Sequence, residues 1–281
     1  MSKLVWSVAS KTDVGLKRSE NQDNFFVSDD NRLFVVADGM GGVMGGAEAS
    51  RLAVEAIKRL WAEDQPPLDD ELKAQAWLHD AVRTSNESVC DAADQIIAES
   101  RMGTTIVAAL QGAGNQLHIA HVGDSRAYLL RDGALDTLTN DHSMVFEMMQ
   151  LGQLTWQQCQ ESPWRSILTR CIGHERDVLI DTKTIEPSNE DWVVLCTDGL
   201  CGYVTDEKIM ETIKACETAE QACSELVSCS MEVGAPDNVT VVVVQYRGET
   251  AAEKAKRKAG AAQAGKQVPK GKPRLLKFSA S

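Results

Sequence analysis

Leu33-Phe34-Val35-Val36-Ala37-Asp38-Gly39-Met40-Gly41-Gly42-Val43-Met44-Gly45-Gly46 is the stretch whose reading decides the fold. Its first five residues are apolar and rich in branched and aromatic side chains, and a glycine-rich run follows. That is the pattern of a buried strand. Asp38 closes the run, and a carboxylate at the exit of a buried strand is costly unless it is paired or holds a cation. Six of the ten residues from Gly39 to Glu48 are Gly or Ala, so the backbone there can approach a neighbour or ligand closely. An isolated Asp-Gly is ordinarily a surface turn. Three further copies argue against that reading here. Trp192–Thr197 again runs apolar into Asp198-Gly199, Ile119–Val122 leads into Gly123-Asp124-Ser125, and Asp237-Asn238 directly precedes Val239–Val244.

Four carboxylates that converge raise one another's pKa values unless cations compensate. A set of oxygen ligands almost without His or Cys favours Mg²⁺ or Mn²⁺ over zinc. Two such ions roughly 3.5–4 Å apart can share a water and lower its pKa toward neutrality. Arg18, in the polar loop Thr12–Asp23, carries the planar fork of donors that suits a phosphate.

Working outward, Val5–Ala9, Phe25–Val27 and Leu33–Ala37 read as strands, the last two as a hairpin across an Asp-Asp-Asn turn. Apolar spacing predicts helices over Gly46–Ala62 and Leu72–Ala98. Thr104–Leu110, Gln116–Val122, Arg126–Leu130 and Ala134–Leu138 are closely spaced, which favours an antiparallel sheet. Residues 139–176 are mixed, with helical signals at Met144–Leu151 and Thr155–Gln160, and are expected to form a functional flap. Val178–Ile185 and Trp192–Cys196 resume the strands, Asp206–Ala215 and Ala219–Val233 are helical, and Val239–Tyr246 is the last strand. Helix pairs interrupting antiparallel strands predict an α+β fold in which two helical layers enclose a pair of sheets, within one domain spanning 1–247.

The net charge of −12 over 281 residues conceals an asymmetry. From Arg247 onward ten Lys/Arg face two Asp/Glu, a net +8, which leaves −20 on residues 1–246. So acidic a body disfavours nucleic acid as a substrate and is compatible with cation sites. Residues 248–281 are expected to be a disordered basic tail, briefly helical around Glu253–Lys258. The eight cysteines are scattered, with no Cys-x-x-Cys, as suits free thiols in a reducing compartment. No run approaches the ~18–20 apolar residues of a membrane span, and the N-terminus lacks a signal-peptide layout. The expectation is a cytoplasmic protein.

Asp13-x-Gly15-x-x-Arg18-x-x-Asn21-Gln22-Asp23 and Ala37-Asp38-Gly39-Met40-Gly41-Gly42 resemble signatures of the metal-dependent protein phosphatases, the protein phosphatase 2C family. Met102-Gly103-Thr104-Thr105, Gly123-Asp124-Ser125-Arg126, Thr197-Asp198-Gly199-Leu200 and Asp237-Asn238 are similar to further family motifs, in the family's order. Leu138-Thr139-x-Asp141-His142-Ser143 and Leu168-Thr169-Arg170-x-x-Gly173 resemble the borders of the flap of bacterial members.

The resemblance implies an αββα sandwich that hydrolyses phosphoserine and phosphothreonine with metal-activated water and no phosphoenzyme. It assigns the first metal to Asp38, Asp198 and Asp237. The second falls to Asp38 and the carbonyl of Gly39, with Asp38 bridging. Asp124 with Asp198 matches a third position, Asp23 acts through water, and Arg18 binds the phosphate. Asp38, Asp198 and Arg18 are thus the catalytic set, with Mn²⁺ or Mg²⁺ as cofactor. The implied partners are phosphoproteins and an opposing Ser/Thr kinase, for a monomer without a membrane span. Met40 and Val43 stand where relatives place histidine, which leaves His121 and His142 as proton-donor candidates by motif. His121 also reads as packing beside Asp124, and His142 as ordering the flap entrance. Two alternatives remain: a sibling acting on an anti-sigma-antagonist-like protein, and a non-catalytic adaptor, which would have no physical need for four buried acids.

Overall fold

A strand buried on both faces carries an unbroken apolar run, and β3 (Leu33–Met40) shows what each face meets. Leu33, Val35 and Ala37 join one core and Phe34 and Val36 another. β11 (Val239–Gly248) repeats the division, with Val239, Val241 and Val243 on one side and Val242, Val244 and Tyr246 on the other. In the computed structural model, which describes residues 4–95 and 102–255 with the backbone alone at 42–44 and 160, these faces belong to two antiparallel sheets stacked on each other.

One sheet runs β1 (Leu4–Asp13), β11, β10 (Trp192–Cys196), β7 (Arg126–Arg131), β8 (Ala134–Thr137). The other runs β2 (Asp23–Val27), β3, β5 (Ile106–Gln111), β6 (Leu117–Val122), β9 (Asp181–Ile185), with the short β4 (Gly103–Thr104) on β3. Between them lies a core drawn from both, including Phe34, Val107, Ile119, Leu129, Leu195 and Val242. The Tyr246 hydroxyl donates across it to Gln111 Oε1 at 2.8 Å. A phenol buried there without an acceptor would cost about 1–3 kcal/mol.

Helices α1 (Gly42–Glu63) and α2 (Glu71–Ala93) cover the outer face of the β3 sheet. α5 (Asp198–Cys201), α6 (Asp206–Lys214) and α7 (Ala219–Glu232) cover the β11 sheet. The result is an α+β sandwich of four layers, αββα. The insertion carries α3 (Met144–Gln150) and α4 (Trp156–Glu161). Most starts follow local chemistry: Asp70, Ser143, Thr155, Thr205 and Thr218 each accept a backbone N–H in the first turn.

Several expected boundaries move. α1 begins at Gly42, four residues before the expected Gly46, because helix α1 must pass close to β3. A Cβ on Gly39 would collide with the backbone carbonyls of Gly46 and Gln22. α2 ends at Ala93 rather than Ala98, and 96–101 lie outside the described residues. The four closely spaced strands divide between the sheets, β5 and β6 in one and β7 and β8 in the other. Asp124 therefore sits where the chain crosses from sheet to sheet. Residues 251–255 are helical, and the rest of the basic tail lies outside the described residues.

Candidate active site

The same end of the sandwich collects every strand terminus singled out by sequence. Asp13 ends β1 opposite Val239, the first residue of β11; Asp23 opens β2 opposite Asp38 near the end of β3. Cys196, two residues before Asp198, pairs with Val241 and with Arg126, two residues after Asp124. Strand register within each sheet, with the crossing from β6 to β7 at Asp124, brings Asp38, Asp124, Asp198 and Asp237 to one cleft of about 460 Å³, which Arg18, Glu20, Gly39, Ser166 and Asn238 also line. Asp23 lies behind it, buried, where its Oδ2 accepts from Thr197 Oγ1 at 2.8 Å and Thr240 Oγ1 at 2.7 Å.

Like charges in a confined space resist ionisation. Burial, then the Asp198 charge, raises Asp38 well above the usual carboxylate range. Burial and Asp198 do the same to Asp124. Burial raises Asp198 less, because the Asp38 carboxyl hydrogen-bonds to it and keeps the proton. Burial pushes Asp23 up to about 7 despite its two threonine donors. Asp237 meets a cation instead: Arg18 Nη2 donates to its Oδ2 at 2.7 Å, with the Arg18 side chain 53% exposed at the cleft mouth. Oδ1 of Asp198 and Oδ1 of Asp23 are buried without any hydrogen-bond partner. Crowded hard-oxygen donors with orphaned lone pairs fit divalent Mg²⁺ or Mn²⁺.

A sequence profile described as Protein phosphatase 2C matches residues 17–233. The chain belongs to the protein phosphatase 2C family. The serine/threonine phosphatase stp of Listeria monocytogenes is 35% identical over 238 residues, 84% of this chain and 94% of that protein. The serine/threonine protein phosphatase PstP of Mycobacterium tuberculosis is 39% identical over 241 residues, 85% of this chain but 45% of PstP. A crystal structure of the PstP catalytic domain with two manganese ions superposes with a TM-score of 0.75 at 34% identity, covering 87% of this chain and 100% of that one. As a protein phosphatase 2C, the chain is a metal-dependent serine/threonine protein phosphatase. Among the described residues no helix is long and apolar enough to cross a membrane.

Around this phosphatase cleft, several residues matter that the sequence reading quoted in motifs without giving them work. Asn238 staples the Arg18 loop to β11: its Nδ2 donates to the carbonyls of Val14 and Glu20, both at 2.9 Å, and its Oδ1 accepts from the Gln22 N–H at 2.8 Å. Thr105 Oγ1 accepts from the Asp38 N–H at 3.0 Å and meets Ser125 Oγ at 2.7 Å, tying the Asp38 and Asp124 turns together. Arg126 holds Asp141, the residue that opens the flap, through two bonds of 2.8 and 2.7 Å. Short polar side chains in turns give no periodic signal, so motif position was their only trace in the sequence.

The two candidate histidines do not line the cleft. Their rings stack at 4.6 Å. His121 Nε2 donates to the Asn140 carbonyl at 2.9 Å, and His142 Nδ1 accepts from the Gly123 N–H at 3.1 Å. Burial and the neighbouring His121 lower His142 to about 4, so it is neutral near pH 7. With Nδ1 an acceptor, the His142 proton sits on Nε2, which lies 3.4 Å from Asp181 Oδ2 without making a hydrogen bond. That tautomer also argues against a metal held by His121, His142 and Asp181, which lie close together, as does the 2.7 Å pairing of Asp181 with Arg170. The pair fastens the flap entrance to the β6–β7 turn.

A pH dependence follows. Carboxyls raised in the folded state bind protons that the unfolded chain has released, so without metal they stabilise at low pH and that stability is lost as pH rises through their folded values. Buried His118, His121 and His142 are lowered and oppose this below about 6.5, where the unfolded chain takes up their protons. Between pH 6.5 and 8 the carboxyls dominate. Chelated protein is expected to melt about 2–6 °C lower at pH 8 than at pH 6.5, and Mn²⁺ should abolish the difference. A flat or rising profile in thermal melts of the chelated protein would contradict the raised carboxyls.

Proposed function

We propose that the cleft dephosphorylates phosphoserine and phosphothreonine in proteins with two divalent cations, Mn²⁺ or Mg²⁺. In this reading Asp38, Asp198 and Asp237 hold the first, and Asp38 with the Gly39 carbonyl holds the second. The observation that carries it is the convergence of four aspartates on one cleft, with the ionisation of Asp38, Asp124 and Asp198 suppressed by burial and by neighbouring carboxylates. Asp124, beside Asp198, would take a third cation. When bound, the cations supply Lewis acidity to the phosphoryl oxygens and to an attacking water.

The chain's own residues do the rest. Arg18, half exposed at the cleft mouth, would turn its guanidinium from Asp237 to the phosphate if a cation took over that carboxylate. Asp23, held by Thr197 and Thr240 through Oδ2, would orient water beside the acids through its unpartnered Oδ1. Residues 1–247 act as the catalytic unit, with 139–176 as the flap and 248–281 as an appended basic segment. The enzyme works as a cytoplasmic monomer, opposes a Ser/Thr kinase, and has no nucleic-acid substrate.

Hydrolysis of a phosphothreonine peptide with Mn²⁺, with Mg²⁺ and with chelator tests this. Activity should require metal and return when metal is restored. Arg18→Ala should raise KM for the phosphopeptide about 10-fold, the loss of one charge-assisted bond, with metal binding by calorimetry retained. An unchanged KM would remove Arg18 from the phosphate.

A further inference from the structure

Beside the cleft lies a second cavity of about 60 Å³, between the flap helices α3 and α4 and the turn after Asp198. Asp124, Ser166 and Asp198 line both spaces, so they communicate. Val145, Phe146, Met149, Trp156, Cys201 and Tyr203 give the cavity one apolar side, and Asp124, Arg126, Asp141, Arg165 and Asp198 make the remainder polar. Its two arginines and Asp141 are already engaged. Arg126 is paired with Asp141 and lies 5.3 Å from the Trp156 ring centroid, and Arg165 lies 5.1 Å from that of Tyr203. Open apolar space that shares a wall with a catalytic cleft is where a substrate places a neighbouring side chain.

We propose that this cavity is a specificity pocket for an uncharged aliphatic side chain, Leu, Met or Ile, near the phosphorylated residue of the substrate. The inference rests on the phosphatase reading above and adds what that reading lacks, a sequence preference. Three observations select the occupant. At about 60 Å³ the cavity is small, which suits one compact side chain. Burying such a side chain against Phe146, Met149 and Tyr203 is favourable. With Asp141 paired to Arg126, and Asp124 and Asp198 assigned to cations in the reading above, the Arg165 charge disfavours lysine or arginine. Because Asp124 and Asp198 belong to both spaces, and an extended peptide advances about 3.3–3.6 Å per residue, the preferred residue lies within about three positions of the phosphate.

The test uses the full chain with Mn²⁺ and phosphothreonine peptides flanked by glycine, with leucine moved through three positions on either side. One position should raise kcat/KM about 10-fold, equivalent to about 1.4 kcal/mol, and lysine there should fall to the glycine value or below. Phe146→Ser and Met149→Ser should each cut the leucine-to-glycine ratio to about 2, as one wall of apolar contact is lost. That ratio, taken with the rate on an aryl phosphate and with melting temperature, separates lost selectivity from misfolding. Peptide hydrolysis with no leucine preference at any position overturns the pocket alone. Failure to hydrolyse any phosphopeptide, with the aryl phosphate still cleaved, overturns the protein-phosphatase reading and the pocket with it.

Discussion

Asp198→Asn is expected to lower kcat by about 10²–10⁴-fold at saturating Mn²⁺ while raising the melting temperature of the chelated protein. The loss follows from position. Asp198 touches Asp38, shares the cleft with Asp124 and Asp237, and carries a buried oxygen with no partner. An amide keeps the shape and removes the charge that competes for a cation, and metal-assisted activation of water is worth several kcal/mol. The gain in stability has the same origin. The Asp198 charge is a leading reason, after burial, for the raised Asp38 and Asp124, so deleting it relieves repulsion that folding must otherwise overcome. Opposite signs exclude global damage as the cause of inactivity. Asp38→Asn should behave alike. Steady-state kinetics beside thermal melts decide: chelated wild type or Asp198→Asn working as fast as the metal-loaded enzyme would sink the two-cation reading.

That cluster was legible in the sequence because its residues sit at ends of apolar runs. Leu33–Ala37 and Trp192–Cys196 announce buried strands by composition alone, and the stacking of the two sheets then puts Asp38 and Asp198 at the same end. The limits of the reading are equally physical. α5 starts on Asp198 and spans four residues, too few for helical periodicity to register. The start of α1 lies before the expected Gly46 because its glycines are poor helix formers in isolation and give no helical signal; of them, close packing against Gly39 selects Gly46. The division of β5–β8 between two sheets is invisible locally, since each hairpin obeys the same alternation wherever it pairs. His121 and His142 were candidates by motif only. Their hydrogen bonds to Asn140 and Gly123 are tertiary facts that no spacing encodes.

The other large effect lies away from the cations, at Arg126 and Asp141. Their side chains are 8% and 11% exposed, and the guanidinium also donates to Tyr128 Oη at 3.0 Å, which in turn donates to Asp206 Oδ1 at 3.1 Å. The network joins β7, the first residues of the flap and the start of α6. Exposed ion pairs are worth about 0–1 kcal/mol, but removing one partner of a buried pair leaves a charge that the protein cannot solvate. Arg126→Met is therefore expected to cost about 3–5 kcal/mol in urea melts, and Asp141→Leu a similar amount. The double substitution Arg126→Met/Asp141→Leu should cost less than either alone, since it strands no charge. A single-substitution cost below about 1 kcal/mol would place the pair among ordinary surface contacts. Arg126 also offsets the rise in Asp124, so Arg126→Met should make stability more dependent on added Mn²⁺. Limited proteolysis should then cut first within 139–176, because Asp141 anchors the flap to β7 through Arg126.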